Sequence, residues 1–268
     1  MSEKELIEKT DKPVTKSTLS RDLKKLDLEG EIVIVHSSLS SLGWVCGGAV
    51  ALIEALQEVI TEEGTLIMPA HSGDYSEPMY WGNPPVPKEW HEIIRKEMPA
   101  YRPEITPTRG IGVVPEVFRK FPEVIRSGHP CLSFAAWGKK AEEITANHQL
   151  DYALGENSPL ANIYDRDGKI LLIGAGHDSN TSLHLAEYTA DHDITIKIFG
   201  SSVIKDGKKT WVKYEDIEFN DELFSEIGKA YEKENEFKTA QVGLAKAKLF
   251  SQKELVDFAV KWLEENNC

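Results

Sequence analysis

Four consecutive apolar residues, Ile170 to Ile173, are closed by Gly174 and Gly176 and followed by a polar turn and a helix-forming run. A continuous apolar run of that length suits a strand buried on both faces, because a strand with one wet face alternates apolar and polar residues. Ile32–Val35 and Thr65–Pro69 have the same character, and each follows a helical pattern. The first 70 residues read helix, strand, helix, strand, which predicts parallel strands joined by a right-handed crossover. The chain is therefore expected to be α/β, with a mostly parallel central sheet flanked by helices. Near the C-terminus, Thr195–Ser202 and Lys209–Tyr214 flank Asp206-Gly207, the signature of an antiparallel hairpin addition. Val242–Phe250 reads as one further strand, and Ser251 with Glu254 as a capping box opening the last helix.

The turn after Ile173 is where chemistry is expected. Asp178, Ser179, Asn180 and Thr181 are all helix N-cap residues, and Leu183–Tyr188 starts a helix. His184 and Glu187, three apart, share one face of it. A packing helix with a capped histidine fits that spacing as well as a catalytic pair does. A second polar turn, His36 to Gly48, joins the first strand to the helix Ala49–Ile60. Its backbone N–H groups and the hydroxyls of Ser37, Ser38, Ser40 and Ser41 can face an anion, although it matches no phosphate-loop pattern. Ser127, His129 and Ser133 cluster at a strand entrance. Residues 71–110 differ from what precedes them: His71–Trp90 is rich in Pro, Gly and aromatics and reads as a long irregular excursion over a site, and His91–Met98 as a short helix. Residues 1–16 read as a lead-in.

Composition limits the alternatives. With 268 residues, of which 41% are hydrophobic, one domain over 1–268 buries an ample core. A net charge of −13 disfavours nonspecific nucleic-acid binding; it fits a cationic small molecule, and fits equally an acidic surface that serves only solubility. Cys46, Cys131 and Cys268 have no paired or metal-ligand spacing, so free thiols in a reducing compartment are expected. No apolar run follows the Met-Ser-Glu-Lys-Glu start, and no stretch is long enough to span a bilayer, so a cytoplasmic location is expected. His36, His71, His129 and His184 would form a metal site only if the fold brought them together. No zinc motif is present, and no metal is expected. The G-x-S-x-G of a serine nucleophile is also missing.

Taken together, Val35-His-Ser-Ser-Leu-Ser40 with Gly43 and Gly47-Gly48, Arg126-Ser-x-His-Pro-x-x-Ser-Phe134, Gly155-Glu-x-Ser-Pro-Leu160, Leu171-Leu-Ile-Gly174 and Thr181-Ser-Leu-His-Leu-Ala-Glu187 resemble the antibiotic, or aminoglycoside 3-N-, acetyltransferase family outside the GNAT fold. The match runs in order from about residue 13 to 263. The segment Trp81-Gly-Asn-Pro-Pro-Val-Pro87 is similar to a Bacillus-type branch. The resemblance implies an acetyl-CoA donor and the 3-amino group of a 2-deoxystreptamine aminoglycoside as acceptor. It implies that His36, Ser37, Ser38, Leu39, Ser127, Ser133 and Phe134 hold the cofactor. It makes His184 the catalytic base, with Asp216, or Glu215 beside it, orienting the ring and Glu187 and Thr181 in support. Asp74, Glu77 and Glu156 are the expected acids for the cationic amine. An acyltransferase for another small amine, or a metal-dependent hydrolase, is the alternative. Either a monomer or a homodimer is compatible with the sequence.

Overall fold

The computed structural model describes residues 2–266, so Cys268 lies outside the described residues. Nine strands are present: β1 Ile32–Ser37, β2 Thr65–Pro69, β3 Ile125–Arg126, β4 Phe134–Gly138, β5 Lys169–Ile173, β6 Ile196–Lys205, β7 Lys208–Ile217, β8 Lys238–Val242 and β9 Ala245–Ser251. Seven form one sheet in the order β3-β4-β2-β1-β5-β9-β8. Its centre, β2-β1-β5, is parallel, and every flanking pair is antiparallel. The α/β class with helices on both faces holds, while the parallel part is narrower than expected. Where Val242–Phe250 reads as one strand, Gly243 turns the chain at φ 55, and the segment becomes part of the hairpin β8–β9. The expected separate hairpin is β6–β7, joined at Asp206-Gly207.

Alternation along the central strands shows why their apolar runs are continuous. Val33 and Val35 of β1, Leu66 and Met68 of β2, and Leu171 and Ile173 of β5 pack into one core. Helices Lys16–Leu23, Gly48–Ile60 and Val113–Phe118 cover it. Ile34, Ile67, Ile170 and Leu172 point the other way, into a second core under Pro159–Tyr164, His184–Thr189, Phe224–Glu234 and Gln252–Asn266. Successive side chains on a strand face opposite sides, so every position had to be apolar.

Two irregular segments differ from expectation. Within the lead-in, residues 3–9 form a helix capped by Ser2 and Glu5, which the sequence reading does not include. None of its residues is buried, which is why no apolar period announces it. The 71–110 excursion leans on the β6–β7 hairpin. Ser201 Oγ donates to the Tyr75 carbonyl, Tyr101 N–H donates to the Ser202 carbonyl, and Tyr80 packs on Phe199 with ring centroids 5.1 Å apart. Among the described residues no helix is long and apolar enough to cross a membrane.

Candidate active site

The carboxyl ends of β1, β2 and β5 lie side by side, with Ser37 of β1 in register with Ile173 of β5. A cleft of about 1040 Å³ opens there. Open α/β sheets place their sites at this end because the loops diverge from it. Its walls include His36, Ser37, Ser38 and Leu39 at the end of β1, His71 beyond β2, Gly174 to Gly176 and Asp178 to Thr181 after β5, and His184. Gly110 to Pro115, the far end of the excursion, also face it.

Gly174 fixes the first turn of the β5 loop. Its φ is 60, and a Cβ there would stand 2.5 Å from Ser41 Cβ, so no other residue fits without movement. Of the four cap candidates, Asn180 makes the bond: its side chain accepts from Ser182 N–H at 3.3 Å. The chain then enters the helix His184–Thr189. His184 Nδ1–H donates to Glu187 Oε2 at 2.5 Å. Glu187 is buried, and its other oxygen accepts from Asn220 N–H at 2.7 Å. Phe219 and Phe224 flank the imidazole with centroids 4.8 and 4.7 Å away. The ring is thereby fixed in plane and tautomer, and Nε2, with no protein partner, is left for the cleft.

Asp216 does not orient His184, and this corrects the expectation. Its Oδ1 accepts from Tyr188 O–H at 2.6 Å and from Ile217 N–H at 2.9 Å, and its Oδ2 accepts from Ala153 N–H at 3.1 Å. Burial pushes its carboxyl above the usual range, opposed by those hydrogen bonds. It ties the hairpin to the 151–154 segment. Glu215 is no substitute, since it accepts from Tyr152 O–H at 3.3 Å.

The expected cofactor residues divide into two groups. His36, Ser37, Ser38 and Leu39 line the cleft, whereas Ser127, Ser133 and Phe134 do not. Ser127 Oγ accepts from Phe134 N–H and donates to His148 Nδ1, both at 2.9 Å; His148 Nε2–H is committed to the Ala153 carbonyl. Ser133 Oγ donates to the Ala70 carbonyl at 2.8 Å and accepts from Arg126 at 3.0 Å. Phe134 is a fully buried β4 residue. These three pack behind the cleft wall, so their contacts are structural.

None of the three expected acceptor acids reaches the cleft. Asp74 pairs with Arg109 at 2.5 Å. Glu77 is buried against Arg95, 2.6 Å away, beside a separate hollow of about 750 Å³ against the hairpin. Glu156 is exposed elsewhere. The acids at the cleft are Asp178 and Asp221, both exposed, together with Glu3 of the unforeseen N-terminal helix. Asp178 and Asp221 stand out in the sequence only as helix-start residues, and nothing local marks them as facing a site.

Of the four scattered histidines, His36, His71 and His184 share the cleft, while His129 packs behind it against His148 and Tyr214. Burial, and then the nearby His177, push His36 down to about 3. Burial likewise drives His129 far below its ordinary value. Among the described residues no three His, Cys, Asp or Glu side chains are grouped to hold a metal ion.

Three comparisons bear on this geometry. The sequence pattern of the aminoglycoside 3-N-acetyltransferase family matches residues 34–264. The chain is 51% identical, over 98% of its own length and 97% of the relative's, to the SPbeta prophage-derived aminoglycoside N(3′)-acetyltransferase-like protein YokD of Bacillus subtilis. The crystal structure of YokD agrees with a TM-score of 0.96, over 98% of each chain. Aminoglycoside N(3)-acetyltransferase VII of Streptomyces paromomycinus is 35% identical over 99% of this chain and 96% of its own. A solved structure of AAC-IIIb with CoASH is 31% identical, with a TM-score of 0.86 over 96% of this chain and 98% of that one.

Proposed function

The chain belongs to the aminoglycoside 3-N-acetyltransferase family and is an acetyltransferase using acetyl-CoA; we propose that it acetylates the 3-amino group of a 2-deoxystreptamine aminoglycoside, with His184 as general base. The observation that carries the mechanism is the hydrogen bond, 2.5 Å long, between His184 on the cleft wall and the buried Glu187 behind it.

The residues present suit the co-substrate. Ser37 lines the cleft, and among the described residues its Oγ has no hydrogen-bond partner. The helix Gly48–Ile60 begins at the cleft without a side-chain cap, so its N-terminal amides favour phosphate oxygens. Ser38 N–H is already bound to the Ile173 carbonyl at 3.0 Å, so this turn can offer hydroxyls but not that amide.

An amine attacks a thioester only through its lone pair, and aminoglycoside amines are largely protonated near neutral pH. The ammonium must therefore first release one proton to solvent, and as the neutral amine attacks a base takes a second proton from nitrogen. His184 Nε2 is free to accept it. Glu187 holds Nδ1–H and stabilises the imidazolium that forms. As the C–N bond forms, the carbonyl π pair moves to oxygen. The C–S bond then breaks, and the proton on His184 neutralises the departing thiolate. Direct transfer in a ternary complex needs no protein nucleophile. Asp178 and Asp221 at the rim supply the negative field for a polycation.

The test is thiol release from acetyl-CoA in the presence of a panel of aminoglycosides and simpler amines. Turnover with a 2-deoxystreptamine aminoglycoside, and product acetylated at N3 by NMR, is the expected result. Turnover confined to simple monoamines would assign the enzyme a different acceptor.

A further inference from the structure

His71 is the one cleft histidine to which neither the base nor the resemblance gives a role. It lies two residues beyond the end of β2, and His36 is the penultimate residue of the neighbouring β1. The backbone on both sides of it is pinned. Ala70 N–H donates to the Ser133 carbonyl at 2.8 Å and Ser72 N–H to the Cys131 carbonyl at 2.7 Å. Buried Arg126 reaches the Ala70 carbonyl at 2.5 Å and Ser72 Oγ at 2.8 Å. The His71 carbonyl accepts from Arg109 N–H at 2.9 Å. The imidazole meets Phe134 edge to face, with centroids 5.4 Å apart. So much anchoring holds one ring in one place.

The ring's two nitrogens differ. Nε2 is buried with no partner, whereas Nδ1 is bonded by no protein group and is not buried. A buried N–H without an acceptor is less tolerable than a buried lone pair, so the proton belongs on Nδ1. Burial, followed by the neighbouring His184 and His36, pushes the imidazole down to about 3. It therefore stays neutral while the enzyme works. His71 and His184 both line the same cleft, which puts donor and base beside the same space.

We propose that His71 is a catalytic hydrogen-bond donor, giving Nδ1–H to the thioester carbonyl oxygen as negative charge develops there, while His184 takes the amine proton. A neutral, fixed donor suits this role, because it stabilises the developing charge without reorganising and does not compete for the amine proton. The inference rests on the acetyl-transfer reading above.

The experiment compares His71→Leu, which has no donor, with His71→Asn, whose side-chain amide can stand where Nδ1 stands. Steady-state kinetics use acetyl-CoA and gentamicin, with CoA binding and thermal unfolding measured alongside. Expected for His71→Leu is a fall in kcat of about 10²-fold or more, as for loss of one oxyanion donor. Both KM values and the CoA-induced rise in Tm should be retained. His71→Asn should recover most of kcat. A leucine variant with wild-type kcat would overturn the proposal. So would a leucine variant whose loss appears only as weakened CoA binding or unfolding, and so would an asparagine variant no better than leucine. If the wild-type protein releases no thiol with any aminoglycoside, the acetyl-transfer reading fails, and this inference fails with it. Activity that is robust in wild type and unaffected in both variants removes this inference alone.

Discussion

At the scale of single residues, the pairing of His184 with Glu187 reassigns the work of two acids. Replacing His184 by Asn should lower kcat by about 10²-fold or more and leave CoA binding in place, as loss of a general base does. Glu187→Gln should also lower kcat, because an amide neither fixes the same tautomer nor supports the imidazolium. Undiminished turnover in either variant, measured as thiol release, would move the base elsewhere. Asp216→Ala predicts the opposite pattern. It strands the hydroxyl of Tyr188 and the amides of Ala153 and Ile217, each worth on the order of 1–3 kcal/mol when buried unpaired. Urea unfolding should show that loss while kcat per folded molecule changes little. The i,i+3 spacing of His184 and Glu187 was readable from the sequence, since helix geometry alone brings them together. The bonds of Asp216 were not, because they join positions 28 and 63 residues apart.

Among the elements, the turns decide what faces the cleft. Gly174 ends β5 in a left-handed conformation beneath Ser41 and Ala245. Gly174→Ala adds backbone strain of about 1–2 kcal/mol and overpacking of about 1–3 kcal/mol. A lowered urea midpoint with reduced activity is expected, and an unchanged midpoint would mean the loop relaxes freely. Gly228 has a comparable role inside a helix. A Cβ there would overlap the His177 ring, 2.0 Å from Cγ, and the ring is bonded to Glu232 at 3.0 Å. The strands β1, β2 and β5, the β6–β7 turn and the helix at His184 were legible, since each rests on local pattern. The hairpin β8–β9 and the N-terminal helix were not. One turns on a single glycine, and the other buries no residue from which a period could be read.

Across the whole molecule, charge and titration give two further expectations. His36, His71, His129 and His148 are all held below the ordinary imidazole value, chiefly by burial, with His36 and His71 pushed to about 3 and His148 to about 4. The unfolded chain binds their protons near 6.5 and the folded protein does not, so stability is full above 6.5 and falls as pH drops toward 4. Each such histidine steepens the slope by up to about 1.4 kcal/mol per pH unit. Urea unfolding from pH 7 to 4.5 should show this, and a flat profile would mean that these rings admit protons while folded. The acidic cleft rim gives the other expectation. The acceptor KM should rise with ionic strength, and Asp178→Lys with Asp221→Lys should raise it and weaken its salt dependence. Asp74→Lys should do neither, because that acid is paired with Arg109 away from the cleft. The sequence by itself determined the α/β class, the two-faced burial of the central strands and the His184–Glu187 pair, because each follows from the period of a strand or a helix. Only the tertiary structure decided that Asp178, Asp221 and His71 face the cleft, while Ser133 and Phe134 pack behind its wall, Glu77 pairs with Arg95 beside a separate hollow, and Asp216 ties the hairpin to residues 151–154. Which way a side chain points at the end of a strand or in a loop depends on what packs against it, and those neighbours come from distant parts of the chain.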